Sequence, residues 1–372
     1  MRLLIPAGGL ALFGVACASD VRTVADSATA TPMIATALPL SSDTLNPAVI
    51  TDTLPGDSDD PAIWINTADP ARSLVLGTDK GDTTGGVYVF DLAGRIDRRR
   101  SVTRLRRMNN VDLAYRVEVA GRPTDIVVAT ERNRMAIRVF ALPDMRAIDE
   151  GGVPVFEGDT TRAPMGVALY RRPRDGAVFA IVGGKSGPTD GYLVQYRLTF
   201  TDGTATATKI RAFGTWSGKK EVEAIVVDAS RGYVYYSDES VGVRKYHADP
   251  DSGSRELALF ATTGVADDHE GLAIYARDDS TGYLLMSDQG ANRVQVFPRE
   301  GTETSPHDHP LLAVIPVRAQ ATDGLEVTSA ALGGAFPRGM LVMMSDRGAF
   351  HFYRWEDVEA GIEKVRAATR VP

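Results

Sequence analysis

The 372-residue chain carries 41 Lys and Arg against 48 Asp and Glu, a formal net charge of −7, which disfavours generic nucleic-acid binding. Its length allows two domains. Its single cysteine excludes an intrachain disulfide and a Cys-rich metal site.

The chain opens MRLLIPAGGLALFGVAC, with an apolar stretch from Leu3 to Ala16 that is too short to span a bilayer and suits a secretory signal. Residues 1–17 therefore read as a signal peptide. Cys17 stands where a bacterial lipoprotein signal places its lipid-modified residue, although Gly14 departs from the usual Leu. Cleavage beside Ala18 is the other reading. Residues 18–42, rich in Ala, Thr, Ser, Asp and Pro, read as a flexible tether. Together these segments place the mature protein outside the cytoplasm: secreted, periplasmic or lipid-anchored.

From residue 43 onward, strand-length apolar runs such as VYVFDLAG (87–94), DIVVAT (125–130), AVFAIVGG (177–184), YVYYSD (233–238), YLLMSD (283–288) and GMLVMMSD (339–346) alternate with turn pairs. Helical periodicity emerges only in WEDVEAGIEKVRAA, 355–368. Six unit openings recur: Asp60 in DDPAIWI, Asp112 in NNVDLAY, Gly166 in PMGVALY, Glu223 in EVEAIVV, Glu270 in DHEGLAIY and Asp323 in TDGLEV. Their spacings of 52, 54, 57, 47 and 53 residues predict an all-β, six-bladed propeller over 43–372. The residues before Asp59 or after Met340 are expected to complete a shared closing blade.

Aligned on those openings, five of six blades carry a carboxylate at one phase. Inner strands converge on the propeller axis, so such a ring is unfavourable without a cation among its members. The acidic set comprises Asp59, Asp60, Asp112, Glu223, Asp238, Glu239, Asp268, Glu270, Asp288, Asp323 and Asp346, with Asn110 and Gln289 as neutral oxygen donors. Hard oxygen donors without clustered Cys or His suit several Ca²⁺ ions rather than zinc. Lys80, Arg132 and Lys185 follow strand runs at equivalent places in blades one to three, where they suit a multiply charged phosphate. No nucleophile elbow, P-loop or zinc-protease motif is present. His269, between Asp268 and Glu270, reads as a packing residue, and His307-Asp308-His309 as a solvated loop.

The strings DDPAIWIN, NNVDLAYRV, Lys-Ser-Gly at 185–187, EVEAIVVD, DDHEGLAIY, GYLLMSDQGANRVQVF and ATDGLEV resemble the β-propeller phytases, in order, from about Asp57 to Trp355. The resemblance implies a calcium-dependent phosphatase acting on myo-inositol hexakisphosphate by direct attack of a metal-activated water. It implies phosphate binding by Lys80, Arg132 and Lys185. Catalytic or metal-holding roles fall to Glu223, Glu239, Asp268 and Glu270, and further metal contacts to Asp59, Asn110, Gln289 and Asp323. Met165 and Gly81 depart from the family's Tyr and second Lys. The partner is then a small-molecule substrate, the expected state a monomer, and membrane contact confined to a lipid on Cys17. A secreted, non-catalytic propeller stabilised by calcium is the alternative.

Overall fold

The computed structural model describes residues 38–369; the signal peptide, Cys17 and nearly all of the tether lie outside them. The described residues form six antiparallel sheets, five of them with their strands in chain order from inside to outside. The inner strands are Ser58–Trp64, Met108–Val119, Pro164–Arg171, Ile225–Asp228, His269–Ala276 and Leu325–Thr328. Each meets the next, and the last meets the first, so the ring is closed. This is the expected six-bladed propeller.

The closure is provided from the N-terminal side. Val49–Ile50 pairs with Ala349–Arg354 and becomes the outermost strand of blade six. Upstream of it, Leu40 and Leu45 bridge to Val314 and Val317 beside blade five's outer strand. The ring is thus sealed by strand pairing between distant parts of the chain, which removes two open edges.

One apolar cluster fills each of the six seams between blades, built from strands buried on both faces. That double burial explains the continuous apolar runs in second strands such as Tyr233–Asp238 and Met340–Ser345. The predicted helix forms over Trp355–Thr369. Its Trp355, Val358, Ile362 and Val365 recur at helical spacing and pack onto the seam between blades five and six. Trp355 is fully buried and stacks on Tyr275 with ring centroids 3.5 Å apart. Replacing Trp355 with Ala is expected to cost about 3–5 kcal/mol, read as a lower urea midpoint with unchanged slope.

One loop expectation fails here. His309 is buried, not solvated: its Nδ1 lies 2.7 Å from the Pro298 carbonyl, and its Nε2 lies 3.1 Å from Lys245 Nζ. Because Nδ1–H must donate to that carbonyl, Nε2 is left to accept from the lysine. Lys245, also fully buried, sits over the Tyr233 ring at 3.9 Å. The cluster ties blade four to the loop of blade five.

Candidate active site

The inner strands carry a β-bulge at their upper ends in blades one, two, three and five, between Ser58 and Pro61, Met108 and Val111, Pro164 and Val167, and His269 and Leu272. A bulge re-aims side chains, here toward the axis. Matching the registers of all six blades makes Asp59, Asn109, Met165, Glu223, Glu270 and Asp323 equivalent. The sequence alignment of openings is therefore corrected in three blades. Asp60 and Gly166 stand one residue late and Asp112 three residues late. The residue after the ring position is Gly166, Ala224, Gly271 or Gly324 in blades three to six. The cause is close approach of neighbouring backbone: a Cβ on Gly166 would lie 2.1 Å from the Glu223 carbonyl oxygen.

A second ring follows from the same registers. Asp79, Glu131, Gly184, Asp238, Asp288 and Ser345 end the second strands, and the next residues are Lys80, Arg132, Lys185, Glu239, Gln289 and Asp346. Blades one to three thus present cations at one level, and blades four to six present oxygen donors. The equivalence of Lys80, Arg132 and Lys185 read from the sequence is a true structural equivalence.

A continuous polar chain links these rings on the cationic side. Arg132 donates to Asn109 Oδ1 at 3.0 Å, Asn109 Nδ2 donates to Asp59 at 2.5 Å, and Lys80 donates to Asp59 at 2.9 Å. Lys80 also donates to Asp323, whose other oxygen accepts from Gln289 Nε2 at 2.5 Å. Burial works against the Lys80 charge, yet Asp59, Asp323 and Glu223 hold its pKa above the ordinary lysine value. Arg132 is buried, and burial followed by the Arg107 charge lowers its pKa, because its direct partner is a neutral amide. Lys185 is exposed and paired with Glu221.

On the acidic side, ligand atoms of Glu239, Asp268 and Glu270 lie within 4.8 Å of one another, and all three residues are buried. Glu270 Oε2 has no hydrogen-bond partner. Burial, then the neighbouring carboxylates, raises the pKa of Glu270, Glu223 and Glu239, with Glu223 acting first on Glu270, Asp59 on Glu223 and Asp268 on Glu239. Burial and Asp59 do the same to Asp323. A buried carboxylate oxygen without a donor, among like charges, fits a hard divalent cation held by oxygen ligands alone.

Several acidic candidates lie elsewhere. Asp60 accepts from Val111 N at 3.0 Å, and Asp112 from Leu113 and Leu169 N at 2.6 Å each, so both cap backbone. With Asn110, Tyr115 and Glu326 they line an axial cavity of about 450 Å³. Burial pushes the Asp112 pKa to about 6 and the Glu326 pKa to about 8. Asp238 and Asp288 are fully buried and tied to Arg244 and Arg293 within their own blades, at 2.9 and 2.7 Å. His269 turns from its acidic neighbours to the Ala261 carbonyl at 2.7 Å, as alternation predicts.

Both departures noted in the sequence have structural consequences. Met165 fills its ring position with a fully buried thioether side chain, and only its backbone carbonyl is engaged, by the Thr130 hydroxyl at 2.7 Å. A Cβ at Gly81 would lie 2.0 Å from Thr84 Oγ1, so a second lysine there requires the Asp79–Thr84 turn to move. Sequence reasoning missed Asn109, Glu221, Lys220 and Glu326. Asn109 was visible as the first residue of the Asn pair, and Lys220 as the second of a Lys pair before EVE.

A curated relative, the "3-phytase" of Bacillus subtilis (strain 168), is 28% identical over 319 residues, covering 81% of this chain and 80% of the relative. Among solved structures, a chain of a mitotic checkpoint complex aligns at TM-score 0.47 and 10% identity, covering 91% of this chain and 98% of that one. The Dos1 propeller aligns at TM-score 0.41 and 13% identity, covering 79% and 67%. Both scores fall under 0.5 and neither likeness bears on function. The phytase family model matches residues 16–350, which reaches all six blades and includes both rings of polar residues, and the chain belongs to the phytase family.

Proposed function

We propose that this enzyme is a calcium-dependent phytase that hydrolyses phosphomonoesters of myo-inositol hexakisphosphate. One observation carries the reading: Lys80, Arg132 and Lys185 occupy one level in blades one to three, and the Glu239, Asp268 and Glu270 cluster stands in blades four and five of the same ring. A substrate with several phosphates needs both halves, cations from side chains and cations held by carboxylates. A purely structural ion needs only the second.

Glu239, Asp268 and Glu270 would hold calcium, and Glu223, the carboxylate that acts most strongly on Glu270, would add to the set, whereas Asp59 and Asp323 are engaged by Lys80, and Gln289 donates to Asp323. When bound, calcium supplies positive charge against the non-bridging phosphate oxygens and lowers the pKa of water. Lys80 and Arg132 are fixed by their hydrogen bonds to Asp59 and Asn109, so they meet a phosphoryl group without reorganising. Lys185, exposed on the rim, grips a neighbouring phosphate and orients the inositol ring. Glu223, half-buried beside Lys80, orients the attacking water. In the overall step the water oxygen bonds to phosphorus and gives up a proton, the phosphorus–inositol oxygen bond breaks, and the freed inositol oxygen takes up a proton to become the hydroxyl. No covalent phosphoenzyme is involved.

The reading includes export by residues 1–17, with Cys17 lipid attachment or cleavage beside Ala18, a monomeric state and an extracytoplasmic location. Phosphate release from phytate by residues 38–372, with calcium and with chelator, tests the activity. Calcium-dependent release is expected. A calcium-dependent rise in Tm without any release would instead make this a binding propeller.

A further inference from the structure

Among the described residues, Lys220 is the cation that pairs with a member of the candidate metal cluster. Its Nζ lies 2.6 Å from both oxygens of Asp268 and 3.6 Å from Asp267. Ser240 donates to the same Asp268 at 3.3 Å. Asp268 is one of the three carboxylates of the candidate metal cluster, and the lysine occupies both of its oxygens. A cation entering that cluster competes with the Lys220 charge for the Asp268 oxygens.

The segment around Lys220 is built to let the side chain move while the backbone stays. The Trp216 indole donates to the Lys220 carbonyl at 2.7 Å, and Glu239 N donates to the Glu221 carbonyl at 3.4 Å. Past the backbone the side chain is 42% exposed. The adjacent Glu221 holds Lys185, the phosphate-facing cation of blade three. A lysine displaced from Asp268 therefore swings on a fixed pivot beside Lys185. Its flexible stem suits that role better than a planar guanidinium would.

We propose that Lys220 is an exchangeable counter-cation: it neutralises Asp268 while the metal is absent, and turns to a substrate phosphate when the metal takes its place. This rests on the calcium reading above. It makes metal binding and substrate binding cooperative, because each favours the same outward position of one side chain.

The test is calcium titration of the metal-free protein by calorimetry, without substrate. Lys220→Met is expected to tighten the Kd about fivefold, the worth of an ion pair of about 1 kcal/mol. Lys220→Arg, with a fork that clamps a carboxylate bidentately, is expected to weaken it. Lys219→Met changes the net charge equally without touching Asp268, and is expected to shift the Kd by less than half as much. With calcium saturating, Lys220→Met should raise KM for phytate severalfold. Equal effects of Lys219→Met and Lys220→Met, or an unchanged Kd in both, overturn the proposal while leaving the calcium site standing. A wild-type protein that binds no calcium overturns both.

Discussion

Glu270→Gln is expected to make the metal-free protein more stable and the enzyme nearly inactive. Glu270 is buried, one of its oxygens has no donor, and Glu239 and Asp268 lie within 4.8 Å. Glutamine keeps the volume, removes a like charge and brings two donors to surrounding acceptors. The gain should be about 1 kcal/mol or more, read as a rise in Tm of the chelated protein at about pH 8. Phytate hydrolysis should fall about 10²–10³-fold, the scale of one lost electrostatic contact to a transition state, and the Tm gain from calcium should shrink. Asp288→Asn supplies the contrast. Asp288 is equally buried, but it is satisfied by Arg293 at 2.7 Å and by Ala266 N at 3.0 Å. Breaking that pair should cost about 3–5 kcal/mol without comparable loss in the activity of the folded fraction. The opposite signs separate a carboxylate kept for chemistry from one kept for the fold. A Glu270→Gln protein that is destabilised and still active places Glu270 in the second group.

The fold was legible because it repeats. Each blade contributes an inner strand and a doubly buried second strand, and six copies reinforce a signal that any one of them gives weakly. The cations were legible for the same reason, since Lys80, Arg132 and Lys185 each follow the last residue of an unmistakable apolar run. The acidic ring was legible only in part. Its phase is set by a bulge, and an extra residue leaves no mark in a hydrophobic pattern. Asp60 and Asp112 were therefore aligned with Glu223 and Glu270, although their side chains cap backbone one and three positions further along. Asn109 was passed over in favour of Asn110 by the same slip. Buried ties such as Asp238–Arg244 resemble site carboxylates in sequence, because the arginine partner lies on another strand. Lys220 depends on a contact 48 residues distant and could not be foreseen from its neighbours.

Calcium should stabilise the protein more as the pH rises from about 5 to about 8, by a difference on the order of 10 °C. The sign follows from the carboxylates. Burial and mutual repulsion raise the folded-state pKa of Glu223, Glu239, Glu270 and Asp323, and in the channel burial sets Asp112 at about 6 and Glu326 at about 8. Between about pH 4 and 8 the metal-free folded state therefore binds more protons than the unfolded chain. Its stability is full below that window and is lost as the pH rises through the folded pKa values. Each pKa unit is worth about 1.4 kcal/mol, and several such groups act together. A bound cation removes the penalty at the site by favouring the ionised carboxylates, so its effect is largest where they would otherwise be forced to ionise unpaired. Buried groups elsewhere act in the opposite sense: His309, lowered to about 4, and Lys245, lowered to about 7, both by burial, resist protonation in the fold and favour it as the pH rises. They lie outside the cluster and cancel when the Tm with calcium is compared with the Tm in chelator at each pH. At about 2 °C per kcal/mol for a domain of this size, a difference that stays flat across the window would mean that the raised carboxylates are not the ones that meet the metal. In Glu270→Gln the slope of that difference should be shallower, because one of the titrating groups is gone.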